Sequence, residues 1–438
     1  MSYQEKLISL EKALFLVKSG DTIVTGLGAC EGGAFMEHLH TIADRVRDVK
    51  IVNCNPSHTC DFYKPEYADS FRVDGWFYAP QMRRAHEQGN MAYIPNNLHF
   101  AATKWLYRNH PNIFVCSASM PDKNGYISIA TSCTYERQIM DHADTVILEI
   151  NPNFPFVYGD VVVHYSDVDY LIETDYPVPT IPDVPYSDRD KVIGKLISDY
   201  VPDGSCIQLG IGGIPNAVAE YLKDKNDLGV HTELITIKMM ELMKMGVITG
   251  KKKQINKGQM VATMILGNTE LFEFVDRNPG VLMCNGSWVN DPWVIAQNDN
   301  MVSINTSLEV DLTGQCASES IGSRQFSGTG GQADTAIGAQ MSKNGRSIIA
   351  LYSTAMVKDK VTGERREVSK IVPQLQTGAA VTLSRNDVDL VITEYGVADL
   401  RGANIQERVR SLISIAHPNF RDELMDKAVE CGVIGKRL

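Results

Sequence analysis

The stretch from Gln208 to Glu233, QLGIGGIPNAVAEYLKDKNDLGVHTE, constrains the fold more than any other. An apolar run, Cys206 to Leu209, enters a glycine turn at Gly210, Gly212 and Gly213. Ala217, Val218 and Leu222 then recur at helical spacing, until a second apolar segment delivers Glu233. The pattern predicts strand, glycine turn, helix, strand. In such a unit the glycines allow close backbone approach to a ligand, the helix N-terminus favours an anion, and the next strand's end can present a side chain into the crevice. Glu233 is therefore a candidate functional carboxylate. Glycine turns before helices are common in α/β proteins, so the stretch alone does not make it one.

An earlier segment echoes this one. Asp21 to Gly28, DTIVTGLG, is an apolar strand running into glycines, followed by Gly32, Gly33 and a helical AFMEHLHTIADRV. Gly20, Ile23, Gly26 and Gly28 superpose on Gly204, Ile207, Gly210 and Gly212 at constant offset. DKNG (Asp122 to Gly125) echoes DLTG (Asp311 to Gly314), and ADTVILE (Ala143 to Glu149) echoes VDLVITE (Val388 to Glu394). Three echoes in one order predict a tandem repeat of two similar open parallel-sheet α/β domains with the active site at their interface. YPVPTIPDVPYSDRD, Tyr176 to Asp190, carries four prolines and reads as an extended linker. The domains are expected at 1–180 and 187–438, the second opening on a helix capped near Ser187.

Composition removes several function classes. At 438 residues the chain exceeds one ordinary core. A net charge of −11, with no basic stripe, argues against nucleic-acid binding. No apolar span reaches bilayer length, and the acidic, amphipathic start lacks the marks of a signal peptide, so no membrane role and a cytoplasmic location are expected. Nine cysteines without ligand-type pairing read as reduced thiols, and the ten histidines include no HExxH, so no metal is expected. The Lys251 to Lys253 run reads as a solvated loop, and Arg83 and Arg84 as surface charges.

A second glycine cluster, FSGTGGQAD from Phe326 to Asp334, holds Gly328, Gly330 and Gly331. Such a turn can aim successive backbone N–H groups at one spot, where they stabilise an oxyanion forming at an acyl carbonyl.

Taken in order, QLGIGGIPNAV, HTE, FSGTGGQAD, SKIVPQL (Ser369 to Leu375) and TEYGVADLRG (Thr393 to Gly402) resemble the acetyl-CoA hydrolase/transferase family of class I coenzyme A transferases, from Lys12 to the end. PFVYGDVVVH (Pro155 to His164) and SRNDVDLVITEYG (Ser384 to Gly396) are similar to members acting on 4-hydroxybutyrate and on butyryl-CoA with acetate. The resemblance implies transfer of coenzyme A between acetyl-CoA and a short-chain carboxylate, 4-hydroxybutyrate ahead of butyrate, by ping-pong chemistry through a glutamyl-CoA thioester. It implies Glu233 as nucleophile, served by Gly330 and Gly331. Coenzyme A binding falls on Gln208, Leu209, Gly210, Ile211, Gly212, Gly213, Gly328, Gly331 and Lys358, mainly in the second domain. Coenzyme A is then a substrate and covalent intermediate, no cofactor is permanently bound, and a homodimer or larger homo-oligomer is expected.

Two departures from the family pattern stand out. Ile237 and Lys238 follow the glutamate where an acidic or small residue is usual, and Met356 replaces a lysine, leaving Lys358 to supply the charge. Acyl-CoA hydrolysis is the nearest alternative activity, with water as acceptor, and a non-catalytic acyl-CoA-binding protein the alternative of another class. A dinucleotide-binding oxidoreductase is disfavoured because Glu31 occupies the third glycine position of GLGACEGG.

Overall fold

The computed structural model describes residues 3–358 and 362–438. In the first half, seven strands form one sheet: β1 (Thr22–Thr25), β2 (Val49–Asn53), β3 (Phe71–Gly75), β4 (Met91–Tyr93), β5 (Ile113–Ala118), β6 (Thr145–Ile150) and β7 (Tyr170–Glu173). Their order is β7-β6-β5-β1-β2-β3-β4, and every neighbouring pair is parallel. In the second half β8 (Cys206–Leu209), β9 (Gly229–Val230), β10 (Met301–Thr306), β11 (Arg346–Ala350), β12 (Leu390–Thr393) and β13 (Gly396–Asp399) pair in the order β9-β8-β10-β11-β12-β13. All pairs there are parallel except β12 with β13, a hairpin in which Thr393 faces Gly396. The α/β architecture with two open parallel sheets is the one expected.

Alternation along these strands builds the interior. Val24, Val52, Phe114 and Leu148 point from the first sheet into the same core as Ile207, Ile304, Ile348 and Ile392 from the second, so the facing sides share one apolar interior. Their neighbours Ile23, Ile51, Ile113 and Ile147 serve a core on the outer face of the first sheet, and Ile349 and Val391 one on the outer face of the second. Strands buried on both faces read as continuous apolar runs, which is why TVILE and LVIT have no polar alternation. Truncating such a buried isoleucine to alanine would cost about 2–5 kcal/mol.

Two of the three echoes coincide with equivalent structure. β1 lies beside β5 as β8 lies beside β10. After those strands the Asp122 and Asp311 carboxylates each accept N–H groups two and four residues on: Asn124 and Tyr126 at 2.8 and 2.9 Å, Thr313 and Gln315 at 2.9 and 3.0 Å. The third echo is misaligned. ADTVILE is β6, next to β5, whereas VDLVITE contains β12, which β11 separates from β10. By position β12 corresponds to β7, where DVDYLIE (Asp167 to Glu173) repeats the DVDLVIT pattern, and β6 corresponds to β11. Short β-branched strands buried on both faces are interchangeable in sequence, so similarity alone placed this one in the wrong slot.

Five helices position the site: α1 (Gly33–His38), α2 (Asp188–Ser198), α3 (Gly213–Tyr221), α4 (Ile237–Lys244) and α5 (Gln332–Met341). Between β7 and α2 residues 174–187 form neither helix nor strand, in keeping with the four prolines. α2 starts on a reciprocal cap: the Ser187 hydroxyl accepts from Asp190 N–H at 3.3 Å while the Asp190 carboxylate accepts from Ser187 N–H at 2.6 Å. No helix among the described residues is long and apolar enough to cross a membrane.

Candidate active site

Glu233 lies where the chain changes ladders. β9 ends at Val230 on the edge of the second sheet, and Leu234–Ile235 pairs instead with Met264–Ile265. Between them the Glu233 carbonyl accepts N–H groups of Thr263 at 3.1 Å and Met264 at 2.9 Å, which fixes the Cα from which the carboxylate departs. The side chain is half-buried and lines a cavity of about 300 Å³. Burial, then the charge of Asp334, pushes its carboxyl up to about 7; hydrogen bonds from Asn290 and the Gly331 N–H pull the other way. The Asn290 amide donates to Glu233 Oε2 at 3.3 Å. His231, two residues earlier, is kept neutral: burial, then Lys253, lowers it to about 4. A proton-sharing partner for Glu233 is therefore not found there.

The second glycine cluster covers this carboxylate. Gly331 is the N-cap of α5, and a β-carbon on it would stand 2.1 Å from Glu233 Oε2 and from Asn290 Nδ2. Glycine alone permits that approach. Gly330 adopts φ +57°, a left-handed turn that aims the loop at the site. The first half of the chain holds this loop from the opposite side. Gly328 lies against the backbone of Trp76 and Phe77, Tyr78 N–H donates to Ser327 O at 3.3 Å, and the Tyr93 hydroxyl accepts from Thr329 N–H at 2.9 Å. Arg83 Nε donates to Phe326 O at 2.6 Å and its guanidinium stacks 4.1 Å over the Phe326 ring. Arg83 is thus a clamp on the glycine loop rather than a surface charge.

Both halves line the cavity. Leu27, Trp76, Leu98, Ala101 and Tyr135 form an apolar wall from the first half, and Leu234, Met264, Leu266 and Ile304 one from the second. Water is poorly accommodated against such surfaces, which favours reactive intermediates that must not hydrolyse. The first half adds the polar side chains of Asn55, Asn96 and Thr134, and the second half those of Gln208, Asn305, Thr306, Ser318, Ser327, Thr329 and Gln332 around Glu233.

Of the residues singled out in the sequence, Glu233, Gln208, Leu209, Gly210, Ile211, Gly328, Gly330 and Gly331 meet around this one cavity. Gln208 is also structural, its Oε1 accepting from Ile304 N–H at 3.1 Å and so joining the ends of β8 and β10. Gly212 and Gly213 are outside the lining; Gly213 opens α3, where a β-carbon would meet the Asp190 carboxylate at 2.9 Å. Lys358 and Met356 lie on an exposed hairpin, 354–358 with 365–369, outside the lining as well. Ile237 opens α4 on the Thr236 cap, and Lys238 pairs with Asp183 at 3.1 Å and Glu241 at 3.0 Å, so neither departure after the glutamate touches the cavity. Lys253 is not solvated: it is 1% exposed and donates to Val230 O and Gln259 O, both at 2.8 Å.

The first glycine turn is closed. Glu149, at the end of β6, accepts the N–H groups of Ala34 at 3.0 Å and Phe35 at 2.6 Å in the first turn of α1. An internal carboxylate fills the position a ligand anion would take. Glu31 is buried and accepts from the Asn53 amide at 2.9 Å and His58 N–H at 3.0 Å, so it belongs to the framework of this turn. Among the described residues no group of three or more His, Cys, Asp or Glu side chains is placed to hold a metal ion.

Sequence reasoning missed Asn290, His99, Asp334, Arg83 and Tyr93. His99, Arg83 and Tyr93 reach across from the first half, Asn290 meets Glu233 from 57 residues away, and Asp334, though it ends the second glycine cluster, takes its partner from the first half.

Known proteins resemble this chain over nearly its whole length. The profile of the acetyl-CoA hydrolase/transferase N-terminal domain matches residues 1–182 and that of the C-terminal domain residues 267–428. Glu233 falls between the two matched segments. The chain is 40% identical over 426 residues to the 4-hydroxybutyrate coenzyme A transferase of Clostridium kluyveri, covering 97% of each chain. It is also 40% identical over 430 residues to the succinyl-CoA:cyclohexane-1-carboxylate CoA transferase of Geobacter metallireducens, covering 97% of this chain and 95% of the other. Among solved structures, RipA from Yersinia pestis superposes with a TM-score of 0.89 at 34% identity, covering 99% of both chains.

Proposed function

The chain belongs to the acetyl-CoA hydrolase/transferase family, and on that premise we propose that it transfers coenzyme A between acetyl-CoA and a short-chain carboxylate, 4-hydroxybutyrate ahead of butyrate. The observation that carries this reading is a half-buried carboxylate, Glu233, facing a cavity with apolar walls from both halves, beneath the glycine turn that begins α5. In its ionised form Glu233 attacks the acyl-CoA carbonyl, and collapse of the tetrahedral intermediate expels the CoA thiolate and leaves a mixed anhydride. The thiolate then attacks the glutamyl carbonyl, releasing the first acid and leaving a glutamyl-CoA thioester. An incoming carboxylate runs both steps in reverse, so the thioester free energy is kept.

Each tetrahedral intermediate needs oxyanion donors, a role suited to the N–H groups of the Gly330-Gly331 turn at a helix N-terminus. The cavity volume of about 300 Å³ suits a short acyl chain beside the sulfur end of coenzyme A. Asn55, Thr134 and Asn96 supply polar atoms on an otherwise apolar wall, which fits an acid bearing a hydroxyl better than a plain alkyl acid. Coenzyme A itself would lie chiefly along the second half, from Gln208 to Ile211.

Purified protein incubated with acetyl-CoA alone should release acetate and gain the mass of coenzyme A on the peptide containing Glu233. Adding 4-hydroxybutyrate, butyrate or cyclohexanecarboxylate should then discharge it to the corresponding acyl-CoA, with parallel lines in double-reciprocal plots. Strictly sequential kinetics with no half-reaction would exclude the mechanism, and CoA release unaffected by any carboxylate would point to hydrolysis.

A further inference from the structure

We propose that His99 and Asp334 are a positioning pair for the nucleophile: an imidazole delivered by the first half fixes the Asp334 carboxylate in the first turn of α5, the helix whose N-cap Gly331 abuts Glu233, so that packing of the two halves sets the charge environment of the attacking oxygen. The inference rests on the transfer reading above and adds to it a second carboxylate and its partner.

The geometry is specific. His99 Nδ1 lies 2.7 Å from Asp334 Oδ1, and His99 N–H donates to Asp334 Oδ2 at 3.1 Å, so both carboxylate oxygens are taken by one residue. The preceding residue, Leu98, donates its N–H to Gly330 O at 3.1 Å, within the turn that covers Glu233. Asp334 is the third residue of α5, and its side chain is 1% exposed. A buried carboxylate at a helix N-terminus with a histidine on both oxygens is held in place, and its charge is felt by its neighbours.

The charged and titratable groups around the two carboxylates come from several elements. Asp334 faces His99 from the first half and Asp291 from the segment before α5, and burial together with Asp291 raises its carboxyl against the opposing pull of His99. Glu233 faces Asp334, the Asn290 amide and the Gly331 N–H, and the buried Cys54 thiol from the first half feels its charge. Among the described residues Asp334 is the group of like charge acting on Glu233, and it raises its proton affinity. A Glu233 less easily ionised before substrate arrives, but a stronger nucleophile once ionised, is the consequence. His99 does not touch the reacting atoms; it acts through Asp334.

The test is the pH profile of the half-reaction, followed as thioester formation on Glu233 from acetyl-CoA. Asp334→Asn keeps the shape of the contact with His99 and removes the like charge, so the acidic limb should move to lower pH by on the order of one unit. His99→Ala should lower the plateau rate by about tenfold, and His99→Gln, which keeps a donor toward Asp334, should restore most of it. A merely structural Asp334 would lower the rate at every pH and leave the limb in place. If wild type forms the Glu233 thioester and the Asp334→Asn limb does not move, or if His99→Gln behaves as His99→Ala, the positioning pair is wrong while transfer stands. If wild type forms no thioester on Glu233, the transfer reading fails and this inference fails with it.

Discussion

Replacing Glu233 with glutamine removes the charge of the proposed nucleophile while keeping size and hydrogen-bonding shape, and two linked effects are expected. The first is kinetic: an amide cannot form the anhydride, so transfer should fall by several orders of magnitude. The second is thermodynamic. A carboxyl raised from an ordinary 4.5 to about 7 holds its proton more tightly folded than unfolded. Below about pH 4.5 it is neutral in both states and costs nothing. As pH rises toward 7 the unfolded chain ionises freely and the folded one resists, so stability is lost across that window. Above it the penalty is constant, at about 3 kcal/mol. The Glu233→Gln variant carries no such penalty, so it should match wild type near pH 4 and exceed it increasingly up to pH 8. Urea titrations of both proteins at pH 4.5, 6, 7 and 8 would measure the gap. A gap that is constant with pH, or of opposite sign at pH 8, would refute the account of why this carboxylate is strained, and near-normal transfer by the variant would remove it as nucleophile.

Gly331→Ala places a β-carbon 2.1 Å from the Glu233 oxygen, and a displacement on that scale should cost at least about a hundredfold in kcat/KM. An unchanged circular dichroism spectrum would separate this from unfolding, and wild-type kcat/KM would show that the loop relaxes freely. Arg83→Ala removes both the 2.6 Å bond to Phe326 O and the stacking on its ring, and should lower kcat/KM about tenfold by loosening the glycine loop. Arg83→Lys should not rescue, because an ammonium cannot both stack flat and donate in that geometry; full rescue by lysine would reduce the clamp to a simple charge.

How much of this could be read in the sequence depended on whether the signal was local. The strand and glycine turn at 206–213, its partner at 22–28 and the helix cap at Ser187 are each written in a few consecutive residues, because sterics and capping act over one turn of chain. Glu233 could be singled out for the same reason: it ends an apolar segment that the glycine turn had already placed at a crevice. The contacts that hold the second glycine cluster over it could not. His99 meets Asp334, Tyr93 meets Thr329 and Arg83 meets Phe326 only after the two halves have packed, and each of these pairs is separated by more than two hundred residues. The misaligned third echo has another cause. A strand buried on both faces retains almost no sequence mark of which slot it fills.

Glu233 and its glycine turns come from the second half of the chain, while the wall of Leu27, Trp76, Leu98 and Ala101 comes from the first. In evolutionary terms this division lets two properties drift apart. A lineage can exchange bulk at Leu27 or Ala101 and reshape the chamber without disturbing the bonds from Thr263, Met264 and Asn290 that anchor Glu233. Change of substrate then needs no change at Glu233 itself, as long as Arg83, Tyr93, Leu98 and His99 keep their hold on the glycine loop and the start of α5.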